Sequence, residues 1–379
     1  MVVKRILMGG GLCLLGMAVA SLVFVFGFPS AAYAFLQARG AAVAGLEAKK
    51  LVLDPSSRVG DQVLGERGGW AGSSPGGAYT VSYYQSEVPK AGPPLLLLHG
   101  LGDEKNSFVR SAALLTDRYS VYLPDLPGHG SNARDSHLDY SIRGQVEFLK
   151  FFVEALGLDT FHLGGSSLGG HLSAAYAARY PEDVERLMLL NPPGLLLEEQ
   201  ESSSGLDATG LETAELDTPG QSAPRLSTPR LNSRRLNPKM LSDSGLSYPG
   251  FEERVESREQ YFTHLSRFVH TPQPLPGPMV DHLTGQLNDS LSFIRSISDA
   301  IKAGDDLVLN ESLAGIRSPT LILWGRHDNV VPFEVALGYE KRIQGSVLRV
   351  IQSAGHFPHL DQPAEVGQEI RRFLVAAQE

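Results

Sequence analysis

Short apolar runs alternate with helix-like patterns along most of this chain. The run at residues 79–84 is β-branched and aromatic, which predicts a strand. Between Ser141 and Leu156, apolar side chains recur at helical spacing and stop at Gly157, which suits a helix end. Strands that alternate with helices predict a mostly parallel sheet with helices on both faces. The other predicted elements are strands at 95–98, 121–123, 161–163, 187–190, 320–324 and 347–351, and a last helix at about 364–376.

Residues 6–28 interrupt this pattern because they carry no charge, and Lys4 and Arg5 precede them. The run exceeds the ~20 residues needed to cross a bilayer, and its basic flank predicts that the remainder lies on the non-cytoplasmic side. Alternatively, residues 32–34 form an A-x-A pattern, and cleavage near Ala34 would release a secreted or periplasmic product. The run is longer than the apolar part of a typical signal peptide, which favours an uncleaved single-pass anchor.

The composition along the chain predicts five segments. Residues 1–34 form the anchor or signal segment, and residues 35–78 form a linker or juxtamembrane region, with regular structure beginning at Tyr79. The core comprises residues 79–196 and 316–379. Between them lies an insertion, 197–315, in the position of a cap or lid. Its part at about 198–250 is rich in Ser, Thr, Pro and charged residues, so we expect disorder there.

Charge and cysteine content exclude several kinds of site. The net charge is −9 and no Lys/Arg-rich run occurs, which argues against a nucleic-acid partner. The single cysteine, Cys13, falls in the apolar N-terminal run, so the core has no disulfide, cysteine-based zinc site or cysteine nucleophile. The chain has 11 histidines but no H-E-x-x-H motif, and we expect neither a metal nor a cofactor.

The segment Gly165-Ser166-Ser167-Leu168-Gly169 lies between a predicted strand and a helix-forming run. A G-x-S-x-G in that setting predicts a nucleophile elbow, a sharp and strained turn that exposes the serine hydroxyl. Ser167 is the predicted nucleophile because glycines stand two residues before and after it. Were Ser166 at the tip, Leu168 would occupy a position that requires a small residue.

A serine hydroxyl needs a base, and that base needs a carboxylate to orient it. Where the serine lies on a nucleophile elbow, the three residues occur along the chain in the order Ser, then Asp or Glu, then His, each after a strand. Asp328 follows the strand at 320–324, and His356 follows the strand at 347–351. Alone, Asp328 could cap a turn and His356 could be a surface histidine, with His359 as a rival base. Their coincidence at matched strand ends predicts the set Ser167, Asp328 and His356.

The developing oxyanion needs backbone donors. We expect one to be the N–H of Leu168, directly after the nucleophile, and the other to be the N–H of Leu101, in the glycine-containing loop at 99–102. His99 is expected to brace that loop. Asp125 begins a turn-forming segment, and we interpret it as structural because it precedes Ser167 in the chain.

Together, these motifs resemble the α/β-hydrolase superfamily across roughly residues 79–196 and 316–377. Residues 141–146 and 180–184 are similar to those of its membrane-anchored monoacylglycerol lipases. The resemblance implies the α/β-hydrolase fold with a helical cap, and cofactor-free hydrolysis of small-molecule acyl esters through an acyl-enzyme intermediate. Two alternatives remain: a carbon–carbon bond hydrolase of aromatic ring-cleavage products, and a non-catalytic binding protein on a hydrolase scaffold. Oligomeric state does not follow from the sequence.

Overall fold

The computed structural model describes residues 27–54, 58–59, 62–63, 78–86, 92–196, 253–304 and 308–375. The predicted apolar run at 6–28 lies outside these ranges except for its last two residues. The predicted disordered part of the insertion at 198–250 also lies outside them. Each helix in the described ranges is too short or too polar to cross a bilayer.

Eight strands form one sheet. They are β1 (Leu46–Leu53), β2 (Tyr79–Ser86), β3 (Leu95–Leu98), β4 (Val121–Pro124), β5 (Phe161–Ser166), β6 (Val184–Leu190), β7 (Thr320–Gly325) and β8 (Val347–Ile351). Their order across the sheet is β1-β2-β4-β3-β5-β6-β7-β8. The pairs β1 with β2 and β2 with β4 are antiparallel, and all other pairs in this sheet are parallel. The prediction of a mostly parallel sheet is therefore confirmed.

Helices cover both faces of this sheet. They are α1 (Pro29–Val43), α2 (Val109–Ala112), α3 (Ile142–Ala155), α4 (Leu168–Arg179), α5 (Arg258–Leu265), α6 (Gly277–Ala303), α7 (Phe333–Arg342), α8 (Pro358–Asp361) and α9 (Pro363–Val375). One apolar cluster joins the sheet to α3, α4, α6 and α7. A second joins it to α1, α2 and α9. The two clusters give the three-layer arrangement that a buried parallel sheet requires.

Helix α3 shows how the sequence sets these elements. Ser141 caps its start by accepting a hydrogen bond from the Gly144 N–H at 3.1 Å. Its apolar side chains fall on one face, where Val146 and Phe152 are buried. Gly157, with a φ of +69°, follows its end. A side chain with a Cβ is strained at that φ, so glycine suits the termination.

Strand β1 corrects the prediction that residues 35–78 form a linker and that regular structure begins at Tyr79. Residues 46–53 pair with β2 over their full length, from Leu46 opposite Ser86 to Leu53 opposite Tyr79. The sequence concealed this strand because charged residues interrupt its apolar pattern, including Lys49. Such charges are usual at a sheet edge, where they oppose pairing with another chain.

The insertion between β6 and β7 carries helices α5 and α6, as the predicted cap requires. We call residues 253–304 the cap segment. Its stretch after α5 is fastened to the loop that follows β8. The Asp361 carboxylate accepts hydrogen bonds from the N–H groups of His270 (2.9 Å), Thr271 (3.1 Å) and Gly355 (2.8 Å). One carboxylate therefore joins the cap segment to the core beside His356.

The inclusion of β1 in the fold can be tested with two adjacent substitutions. Leu53 is fully buried, whereas Val52 on the opposite face is 59% exposed. We expect Leu53→Ala to lower the free energy of unfolding by about 2–5 kcal/mol, because it leaves a cavity in the core. Val52→Ala should change it by less than about 1 kcal/mol. Urea unfolding measures both, and equal effects would contradict the placement of β1 in the sheet.

Candidate active site

The turn after β5 has the strained geometry expected of a nucleophile elbow. Ser167 has φ 52° and ψ −119°, a conformation that few non-glycine residues adopt. A Cβ on Gly165 would collide with the backbone of Gly169, and a Cβ on Gly169 would collide with the Leu98 carbonyl. Both glycines are therefore required by the close approach of strand, helix and neighbouring strand.

The structure brings Ser167, His356 and Asp328 into one hydrogen-bonded chain. His356 Nε2 lies 2.8 Å from Ser167 Oγ, and His356 Nδ1 lies 2.9 Å from Asp328 Oδ2. The side chains of His356 and Asp328 are 1% and 2% exposed, so bulk water does not compete for the bond between them. Because the carboxylate only accepts, Nδ1 carries the proton and Nε2 is free to accept from the serine hydroxyl.

Asp328 also caps a turn, the ordinary role considered for it from the sequence. Its Oδ1 accepts from the N–H groups of Val330 at 2.8 Å and Val331 at 3.0 Å. Its Oδ2 accepts from His356 and, in addition, from the amide Nδ2 of Asn191 at 2.6 Å. Turn capping and contact with the histidine thus coexist, with one oxygen assigned to each.

Asn191 is a residue of this site that was not predicted from the sequence. The available signal was its position directly after the predicted strand at 187–190, which places it at the same sheet edge as Ser167 and Asp328. Asparagine is usual in turns, so this position alone gave no reason to single it out.

The loop that carries Leu101 lies against the nucleophile. A Cβ placed on Gly100 would stand 3.3 Å from the Ser167 Cβ. His99 braces this loop, with Nδ1 donating to the Gly100 carbonyl at 2.8 Å and Nε2 accepting from the Leu126 N–H at 2.9 Å. Leu168 is the first residue of α4, where a backbone N–H has no partner within the helix. Gly100, which precedes Leu101, and Leu168 therefore both lie next to Ser167.

Other candidate residues lie apart from this chain of three. Asp125 is buried, accepts from the Ser131 N–H and pairs with Lys105 Nζ at 2.5 Å. His359 stacks on Phe108 with ring centroids 4.2 Å apart, and burial lowers its pKa. Among the described residues, no group of three or more His, Cys, Asp and Glu side chains could hold a metal ion.

The cap segment places apolar side chains beside the loops that follow β4 and β8. Phe268 stacks on Phe357 with centroids 5.5 Å apart and lies 6.3 Å from the His356 ring. On α6, Phe293 and Ile297 lie so close to Gly128 that a Cβ there would collide with the Phe293 ring. The cap segment therefore contributes an apolar surface both beside the histidine and above the turn after β4.

Comparison with known proteins agrees with this architecture. A family model described as the alpha/beta hydrolase fold matches residues 93–363. The chain is 29% identical over 310 residues to a monoacylglycerol lipase of Mus musculus, covering 79% of this chain and 80% of that protein. It is 26% identical over 284 residues to Lipase 1 of Psychrobacter immobilis, covering 75% and 77%.

Among solved structures, a membrane phospholipase A, described as a bacterial virulence factor, superimposes with a TM-score of 0.66. It shares 24% sequence identity with this chain, and the match covers 99% of both chains. At that identity the likeness concerns the fold. The family match spans more than half of the chain and includes every residue of the site described above. The chain therefore belongs to the α/β-hydrolase fold family.

Proposed function

We propose that this protein is a serine hydrolase of carboxylic esters, with Ser167 as nucleophile, His356 as general base and Asp328 as the orienting acid. The observation that carries the proposal is the continuous hydrogen bonding from Ser167 Oγ through His356 to Asp328. A weakly nucleophilic hydroxyl is activated by such an arrangement, because the base accepts its proton as the oxygen attacks.

In the proposed reaction, Ser167 Oγ attacks the ester carbonyl and His356 Nε2 takes the hydroxyl proton. The N–H groups of Leu101 and Leu168 donate to the oxyanion of the tetrahedral intermediate, where each such donor is worth about 10²–10³ in rate. His356 returns the proton to the departing alcohol, leaving an acyl group on Ser167. Water, deprotonated by His356, then attacks the acyl-enzyme, and His356 returns that proton to Ser167 Oγ as the acid leaves.

The proposed substrates are lipid-like or medium-chain acyl esters such as monoacylglycerols. Two observations support this class. The relatives with similar sequences are named monoacylglycerol lipase and lipase. The cap segment also places Phe268 beside the His356 ring and Phe293 against Gly128, in the turn after β4. Apolar side chains of this kind suit an acyl chain, because pockets for small molecules are lined mainly by hydrophobic and aromatic side chains.

We further propose that the run at residues 6–28 is an uncleaved membrane anchor that holds the catalytic domain on the non-cytoplasmic side. The A-x-A pattern at 32–34 lies inside helix α1. The Tyr33 hydroxyl donates to Glu104 Oε1 at 3.2 Å, and its ring centroid lies 5.9 Å from that of His282. Cleavage after Ala34 would remove Tyr33 together with both contacts. An anchored domain also meets lipid substrates where they reside.

The esterase proposal predicts a sharp difference between two adjacent serines. Ser167→Ala should lower kcat on p-nitrophenyl esters by about 10⁴-fold or more, because the nucleophile is lost. Ser166→Ala is the matched control. Its hydroxyl is buried and has no hydrogen-bond partner among the described residues, so we expect kcat within about threefold of wild type. Initial rates in detergent, from acetate to palmitate, measure both variants and the preferred chain length.

Two outcomes would overturn this assignment. Equal losses of kcat in the two variants would show that both substitutions disturb the structure of the elbow, and that the loss in Ser167→Ala does not identify a nucleophile. If the wild-type protein cleaves no ester in the series, ester hydrolysis is wrong. Cleavage of an aromatic ring-cleavage product would then favour a carbon–carbon bond hydrolase, and inactivity on that product would favour a binding protein.

The anchor proposal predicts how the protein partitions between membrane and soluble fractions. The full-length chain should sediment with membranes and resist alkaline carbonate extraction, and intact-mass analysis should recover the N-terminal segment. A chain lacking residues 6–28 should appear in the soluble fraction. Recovery of a mature form that begins near residue 35 would contradict the uncleaved anchor and support a signal peptide.

A further inference from the structure

Among the described residues, the non-glycine residues with positive φ are Ser167 at 52° and Asn191 at 46°. Ser167 directly follows β5, and Asn191 directly follows the adjacent strand β6. Such backbone conformations cost energy and persist only where the surrounding structure holds them, often at functional sites. Asparagine tolerates this region better than most residues, so its presence after β6 has a physical reason.

The side chain of Asn191 is fixed at both ends of its amide. Asn191 is fully buried, and its backbone N–H donates to the Leu323 carbonyl at 3.1 Å. Its Oδ1 accepts from the Gly325 N–H at 3.1 Å, while its Nδ2 donates to Asp328 Oδ2 at 2.6 Å. Rotating the amide by 180° would turn its oxygen toward the carboxylate and its NH₂ toward an N–H. The observed orientation is therefore the one that the neighbours require.

The bond from Asn191 completes the hydrogen bonding of the buried carboxylate. Asp328 receives two backbone N–H groups on Oδ1, and receives His356 and Asn191 on Oδ2. A carboxylate offers about four acceptor positions, so all of them are used. Without the amide, Oδ2 would keep His356 as its one partner among these donors, and the plane of the carboxylate would lose a restraint.

The other end of the amide lies where the loops of the acid and the base meet. A Cβ on Gly325 would collide with the Gly355 carbonyl, which directly precedes His356 in the chain. The Gly325 N–H, which donates to Asn191, therefore lies where β7 and the loop after β8 approach each other closely. One buried amide thus restrains both the Asp328 carboxylate and the backbone on which His356 depends.

We propose that Asn191 is a positioning residue of the esterase, holding Asp328 Oδ2 in line with His356 Nδ1. This proposal rests on the proposed function of Ser167, His356 and Asp328. Asn191 acts through Asp328 and takes no part in bond making or breaking. Its loss should leave substrate binding intact and slow the chemical step, because the imidazole is then less strictly oriented toward Ser167.

The test compares two substitutions that differ in backbone strain and share the loss of the amide. Asn191→Gly removes the side chain and accepts a positive φ freely, whereas Asn191→Ala removes it and adds strain. We expect kcat to fall by about 10–100-fold in both variants, with KM changed by less than about threefold. The Tm should be lower for Asn191→Ala than for Asn191→Gly, because only alanine is strained at this φ. Similar kcat values in two variants of different stability would then show that the loss of kcat does not arise from destabilisation.

Asn310→Ala is the matched control. The Asn310 amide also makes two hydrogen bonds, both to the backbone of Leu196 and away from the catalytic residues. We expect this variant to lose stability and keep a kcat within about threefold of wild type. The proposal is overturned if Asn191→Gly retains wild-type kcat. It is also overturned if kcat falls equally in Asn310→Ala, which would indicate general destabilisation.

A second measurement does not depend on any substrate. The proton on His356 Nδ1 should give a far-downfield ¹H NMR signal in the wild-type protein, arising from its bond to Asp328. We expect that signal to move or broaden in Asn191→Gly and to stay in place in Asn310→Ala. An unmoved signal in Asn191→Gly would overturn the positioning role even if ester hydrolysis is correct. A moved signal in a protein that cleaves no ester would sustain the role and overturn only the proposed function.

Discussion

Three backbone hydrogen bonds continue the parallel pairing of the sheet by one residue past the ends of β5, β6 and β7. The N–H of Ser167 donates to the Leu190 carbonyl, that of Asn191 to Leu323, and that of Arg326 to Ile351. Each residue just past β5, β6 and β7 is thereby tied to the neighbouring strand. Ser167 and His356 are 189 positions apart in the chain, yet their side chains meet at hydrogen-bond distance. Strand register brings the ends of β5 and β8 to one edge of the sheet, and the loop after β8 carries His356 the remaining distance to Ser167.

Glycines make this register possible at its tightest points. The approaches of Gly165 to Gly169 and of Gly325 to Gly355 leave no space for a Cβ. The first allows helix α4 to begin directly after the nucleophile. The second brings the loops of Asp328 and His356 together. The strain at Ser167 is sustained by this packing, as expected where a turn has to expose a reactive side chain.

The sequence was informative about the sheet and about the three residues that meet at its edge. The periods of strands and helices are local signals, and they locate the strands. Once the strands are located, Ser167, Asp328 and His356 can each be placed directly after one. Strand β1 escaped prediction because an edge strand keeps charges such as Lys49 that break the apolar pattern. Asn191 and Asp361 owe their contacts to residues distant in the chain, at Asp328 and His270. No local pattern encodes such contacts.

The activation of Ser167 by His356 underlies every step of the proposed chemistry. Labelling the full-length protein with a fluorophosphonate, followed by intact-mass and peptide mass spectrometry, examines it without knowledge of the substrate, because the reagent reacts with activated serines. We expect one adduct per chain, located on Ser167, with labelling at least about 10²-fold slower in His356→Ala. An unlabelled protein, an adduct on Ser166, or an unchanged rate in His356→Ala would show that Ser167 is not the activated nucleophile.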